Sequence, residues 1–127
     1  MQRTEGEKQA WKAKMGLLAK QIKAMPKEEQ QALACKCGTM TCEGRTLSPF
    51  NTCYLWLQNG RKPLLQVGGF KQWQKIGRIV KKGEHSVGCI FVPIAGKKDD
   101  EGHESNTYFR RMPVFDVEQT ETMQAAG

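Results

Sequence analysis

Seven cations face a single acid in the stretch from Arg61 to Glu84: Arg61, Lys62, Lys71, Lys75, Arg78, Lys81 and Lys82 against Glu84 itself. Aromatic rings are interleaved with them. Trp56 stands just before, Phe70 and Trp73 lie inside, and Tyr108 sits beside Arg110 and Arg111 further on. Cations neutralise a phosphate backbone and flat rings receive unstacked bases, the combination that binding a single nucleic-acid strand requires. The whole 127-residue chain carries a net charge of +7, so most of its excess is concentrated here. Such a balance favours polyanionic partners, either nucleic acid or an acidic membrane surface. The candidate binding residues are Lys71, Trp73, Lys75, Arg78, Lys81, Lys82, Trp56, Tyr108, Arg110 and Arg111. A plainer use competes at each ring. Phe70, Trp73 and Ile76 recur at three-residue steps, as core-facing positions do, and core packing is the favoured reading of these two aromatics. Trp56 and Tyr108 stay open between core and site.

Other chemistry has less support. Cys35, Cys37 and Cys42 lie close together, and Cys53 would complete a tetrahedral set. Their C-x-C-x4-C spacing departs from the paired knuckles of structural zinc sites, so ordinary thiols are the expected state and zinc the minority alternative. His85 and His103 have no partner at the spacing of an H-E-x-x-H helix, and no glycine-rich loop ends in Gly-Lys-Ser/Thr. The acidic run Asp99, Asp100, Glu101 and Glu104 reads as a solvated loop. No enzymatic activity and no cofactor are expected. No segment approaches the roughly 20 apolar residues that cross a bilayer. The opening MQRTEGEKQAWKAK has no apolar signal core. A cytoplasmic protein without membrane attachment is therefore expected, its odd number of cysteines reduced.

The elements that must position these residues follow from local signals. Trp11, Met15, Leu18, Ile22 and Met25 alternate steps of four and three, which places them on one helical stripe. That stripe is expected to pack on the domain, with docking of a protein partner as the alternative. Pro26 ends this helix and opens a second through Glu28, Glu29 and Leu33. Cys35 to Arg45 reads as a loop or distorted edge. Ser48-Pro49 resembles a capped helix start and Asn59-Gly60 its stop, although the aromatic and β-branched content leaves a strand open there. A short helix is expected from Phe70 to Ile76, ended by Gly77. Strands follow at Arg78–Val80, Val87–Ile94 and Thr107–Val117, with turns between them. The fold class is α+β, N-terminal helices followed by a small antiparallel β-meander in a single domain. The expected divisions are a helical region with its cysteine loop over 1–45, a core over 46–122 and a disordered tail over 123–127.

The string VGGFKQWQKIGRIVKKGEHSVGCIFVPI, with SPFNTCYLWLQN before it and VFDVEQTE after it, resembles the N-terminal domain of the ArdC antirestriction protein family. That domain is shared with plasmid primases and with phage and mobile-element proteins. The resemblance runs from about Leu47 to Glu121, and its most specific part is the G-R-x-V-K-K-G-E element. It implies an α+β module that binds single-stranded DNA, with Trp73, Gly77, Arg78, Lys81, Lys82 and Gly83 as the framework of the site. Gly83 is expected to take a positive-φ turn that presents the two lysines, and Asp116, Gln119 and Glu121 to serve as polar anchors. In longer relatives a metallopeptidase-like domain follows, and none of its catalysis carries over to these residues. Two uses therefore compete. One is a module for single-stranded DNA that acts without sequence preference, in antirestriction or DNA protection. The other is a protein-interaction module that uses the Trp11–Met25 helix, with the basic region incidental.

Overall fold

The chain starts its first helix on a side-chain cap: the hydroxyl of Thr4 accepts from the Glu7 N–H at 3.1 Å. A computed structural model describes residues 4–94 and 108–123. Helix α1 spans Glu5–Ala24, with Glu5 and Glu7 in the first turn and Lys23 in the last, as the helix dipole favours. Its stripe turns inward. Met15, Ala19 and Ile22 are buried with Cys53, Tyr54 and Cys89, and Trp11, Leu18 and Met25 pack around them.

Helix α2 runs Lys27–Cys37 and closes on Gly38, whose φ of 62° suits the absent Cβ. The Gln30 amide donates to the carbonyls of Ile22 and Met25 at 2.8 and 3.1 Å, which fixes the joint around Pro26. Cys35 and Cys37 thus belong to the last helical turn rather than to the expected loop. The edge half of that expectation holds, because β1 (Met40–Thr41) borders the sheet.

Helix α3 (Pro49–Gln58) settles the helix-or-strand question in favour of the cap. The Ser48 hydroxyl accepts from the Asn51 N–H at 3.2 Å, Pro49 fills the first position, and Gly60 at φ 68° turns the chain away. The helix is central to both apolar clusters. Cys53 and Tyr54 join the α1 cluster, while Leu55 packs with Leu47, Leu64, Val67, Ile90 and Val114.

The remaining strands are β2 (Gln66–Gly68), β3 (Arg78–Val80), β4 (Gly88–Ile94), β5 (Tyr108–Asp116) and β6 (Thr120–Thr122). The main sheet has the order β1-β2-β5-β4, with β1 parallel to β2 and the other pairs antiparallel. The α+β class and the helices-first order stand, and the connectivity is richer than a meander. β3 pairs with β6 rather than β4, register Ile79 to Glu121, in a separate two-stranded sheet. β4 is an outer strand, and α3 covers its open main chain. The Asn51 amide bonds both N–H and C=O of Phe91 at 2.9 and 3.0 Å, and the Gln58 amide does the same at Cys89, at 2.8 Å each. Unpaired edge groups are thereby satisfied. The Met123 N–H bonds the Gly77 carbonyl at 2.9 Å. Residues 124–127, the acidic run and His103 lie outside the described residues.

Candidate nucleic-acid interface

Helix α4 (Phe70–Lys75) is short enough that one side chain decides its orientation. Trp73 is wholly buried and its indole N–H donates to the Phe115 carbonyl at 3.0 Å. With Trp73 inward, Lys71 and Lys75 stand four residues apart on the opposite, exposed face. Phe70 lies at the rim, 46% exposed, its ring edge-on to Phe115 at 6.3 Å between centroids. The two aromatics expected in the core therefore part company. Trp73 is there, and it is corrected from a DNA contact to a support, because a ring without exposed surface cannot stack on a base. Phe70 is outside and available.

Gly77, at φ 84°, turns the chain from α4 into β3. Arg78 does not point to solvent as a free cation. Its Nε donates to the Thr120 hydroxyl at 2.7 Å and its guanidinium also bonds the Thr120 carbonyl at 3.1 Å, clamping β3 to β6. The Lys81 N–H bonds the Gln119 carbonyl at 2.8 Å, and the Glu84 N–H bonds the Lys81 carbonyl at 3.2 Å. Gly83 makes this turn possible with φ 87°, as expected, and Lys81 and Lys82 are exposed on it. Gln119 anchors the turn from the other side. Its amide donates to the Glu84 carboxylate at 3.2 Å and to the His85 carbonyl at 2.6 Å, and its Oε1 accepts from the Asp116 N–H at 2.9 Å.

Lys71, Lys75, Lys81 and Lys82 thus share one corner, since α4 packs on β3 and the turn leaves directly from it. Among the described residues none of the four has a carboxylate within salt-bridge distance; the pair that does form is Lys8–Glu5, at 4.0 Å on α1.

The other candidates lie elsewhere. Trp56 is half-buried near the end of α3, with the Arg61 guanidinium 6.0 Å from its ring centre. The Tyr108 backbone opens β5 opposite Ile94. Arg110 is exposed, five residues along β5 from Phe115, a distance of about 17 Å in a strand. Arg111 faces the opposite side of the sheet, under α1, with its guanidinium 5.9 Å from the Trp11 ring and 5.5 Å from the Phe91 ring. Arg110 and Arg111, both candidate contacts, do not line one surface, because successive strand residues point to opposite faces.

All five cysteines are free. Burial pushes the thiols of Cys37, Cys42, Cys53 and Cys89 up from their ordinary 9.0, with Glu43 adding to the rise at Cys42 and Cys37 to that at Cys53. Among the described residues no group of three or more His, Cys, Asp or Glu side chains stands where it could hold a metal ion. A folded thiol that keeps its proton to higher pH than the unfolded one makes unfolding release protons. The contribution is full below 9.0 and is lost as pH rises toward the folded values. The urea midpoint is expected to fall between about pH 7.5 and about pH 10. In the same samples iodoacetamide should modify exposed Cys35 first and reach Cys53 only on unfolding.

These features define a small α+β module whose uncompensated cations gather at one helix–turn corner. A family model described as the N-terminal domain of anti-restriction factor ArdC matches residues 9–123, and the chain belongs to that family. The match takes in α1 and α2, which the G-R-x-V-K-K-G-E element alone does not reach. A crystal structure of the antirestriction ArdC protein from plasmid R388, in metal-free form, is similar at a TM-score of 0.51. Identity is 22%, over 69% of this chain and 34% of that one, so the likeness is one of fold and this chain spans about a third of that protein. A comparison with curated proteins returned no match. No helix among the described residues is long and apolar enough to cross a membrane.

Proposed function

We propose that this chain binds single-stranded DNA without sequence preference through the α4–β3 corner, and serves antirestriction for a phage, plasmid or other mobile element. The observation that carries the reading is the exposed ring of Phe70 beside Lys71 and Lys75, with no described carboxylate to neutralise the lysines. Phosphates run along the cations, and an unstacked base lies on the ring. Duplex DNA offers phosphates but keeps its bases stacked, so the ring favours single strands. The family's name, and the plasmid origin of the similar structure, support antirestriction as the setting. The chain performs no reaction of its own in this account; it occupies or tethers the strand in the cytoplasm. A docking role for α1 would have to use the face away from its buried stripe, where Leu17 is 61% exposed.

Phe70→Ala tests the reading. Losing one stacked base is worth about 1–3 kcal/mol, so single-strand affinity should fall about 5- to 150-fold while duplex affinity stays level. An equal loss on both forms, or none, contradicts the stacking role.

A further inference from the structure

A cleft of about 380 Å³ opens between α1 and the β4–β5 hairpin, a size within the range of small-molecule sites. Trp11, Leu18 and Pro113 supply apolar wall, and Lys14, Ser86 and Arg111 supply polar groups. Arg111 is the unusual member. Among the described residues its Nε is the one buried side-chain nitrogen or oxygen without a hydrogen-bond partner. No described carboxylate lies within salt-bridge distance of Arg111 or of Lys14. The rings of Trp11 and Phe91 hold the guanidinium at 5.9 and 5.5 Å and steady its plane without neutralising it. A half-buried guanidinium that no carboxylate balances is costly unless an anion meets it from the cleft.

We infer that this cleft binds a phosphate monoester, with Arg111 and Lys14 on the phosphate oxygens, the Ser86 hydroxyl as a further donor, and Trp11 against the organic part. The planar fork of Arg111 suits two oxygens of one phosphate, and Lys14 adds a point charge from α1. Two sources offer that group: the terminal phosphate of a DNA strand and a free nucleotide. The inference is independent of the α4–β3 corner, which contributes no residue to the cleft.

Calorimetry of the full chain with inorganic phosphate, thymidine monophosphate and thymidine tests it. The monophosphate is expected to bind at least tenfold more tightly than thymidine. Arg111→Met, which keeps the packing between the rings, should abolish that preference, and the surface variant Lys14→Ala should weaken it. The variant Lys71→Ala/Lys75→Ala/Lys81→Ala/Lys82→Ala should keep it, which separates this site from the proposed strand-binding corner. An oligonucleotide carrying a terminal phosphate, if it gains Arg111-dependent affinity over its hydroxyl-ended form, assigns the strand end. Binding of the monophosphate without that gain assigns a free nucleotide. No heat from phosphate or the monophosphate at about 10 mM, a limit that covers weak sites, would overturn the inference. Equal binding by Arg111→Met would do the same.

Discussion

Trp73→Ala is expected to destabilise the protein by about 3–5 kcal/mol, the range for deleting a buried aromatic side chain. That is a large share of the ~5–15 kcal/mol that holds a typical domain together. Three losses combine at this position. The ring is wholly buried and leaves a cavity, and the Phe115 carbonyl loses its donor. The third is the close packing at Gly68, where a Cβ would lie 2.7 Å from the Cys42 Sγ and 3.2 Å from the Trp73 indole nitrogen. The glycine is what lets β2, the Cys42 turn and α4 meet, and alanine at 73 empties one side of that meeting. Trp73→Phe keeps most of the volume and isolates the hydrogen bond, at about 1–3 kcal/mol. Urea denaturation reads both. A Trp73→Ala midpoint equal to the parent's would mean that α4 is not held as described.

The second large effect is on binding. Replacing Lys71, Lys75, Lys81 and Lys82 together by alanine is expected to lower single-strand affinity by roughly two orders of magnitude near physiological salt. The estimate takes one phosphate per lysine and about 0.7 counterions released per phosphate. The slope of log K against log salt should flatten by about 3 in the same variant. All four side chains are exposed and unpaired, so stability should move by no more than about 0.5 kcal/mol. That separation is the value of the experiment, since lost binding with an intact fold locates the site. Arg78 is the wrong residue for this test, because it clamps Thr120 and its removal would loosen the two-stranded sheet.

What could be read from the sequence was what short-range chemistry decides. Ser48-Pro49 and Asn59-Gly60 bound α3 because capping and left-handed turns are local, and Gly77 and Gly83 mark turns for the same reason. The inward stripe of α1 was legible from its spacing. Pairing between distant segments was not. β2 is three residues long, following a proline loop and ending in the first of two glycines, too short to show a period, and β6 is equally short. Their partners depend on how the chain returns, which no local pattern records. The split between Phe70 and Trp73 was hidden for a subtler reason. Three-residue spacing puts Phe70, Trp73 and Ile76 on one face, but a six-residue helix at a corner buries only the middle of that face. Phe70 and Ile76 remain 46% and 44% exposed. The separation of Arg110 from Arg111 is also legible from the strand they share. Neighbours in a strand face opposite ways, so the pair could never line one groove.

The most direct test of the central claim is fluorescence anisotropy with a labelled single strand of about 20 nucleotides and its duplex, titrated at two salt concentrations. The account predicts salt-dependent binding that is tighter on the single strand. Equal affinity for both forms, or no binding even at low salt, would contradict it.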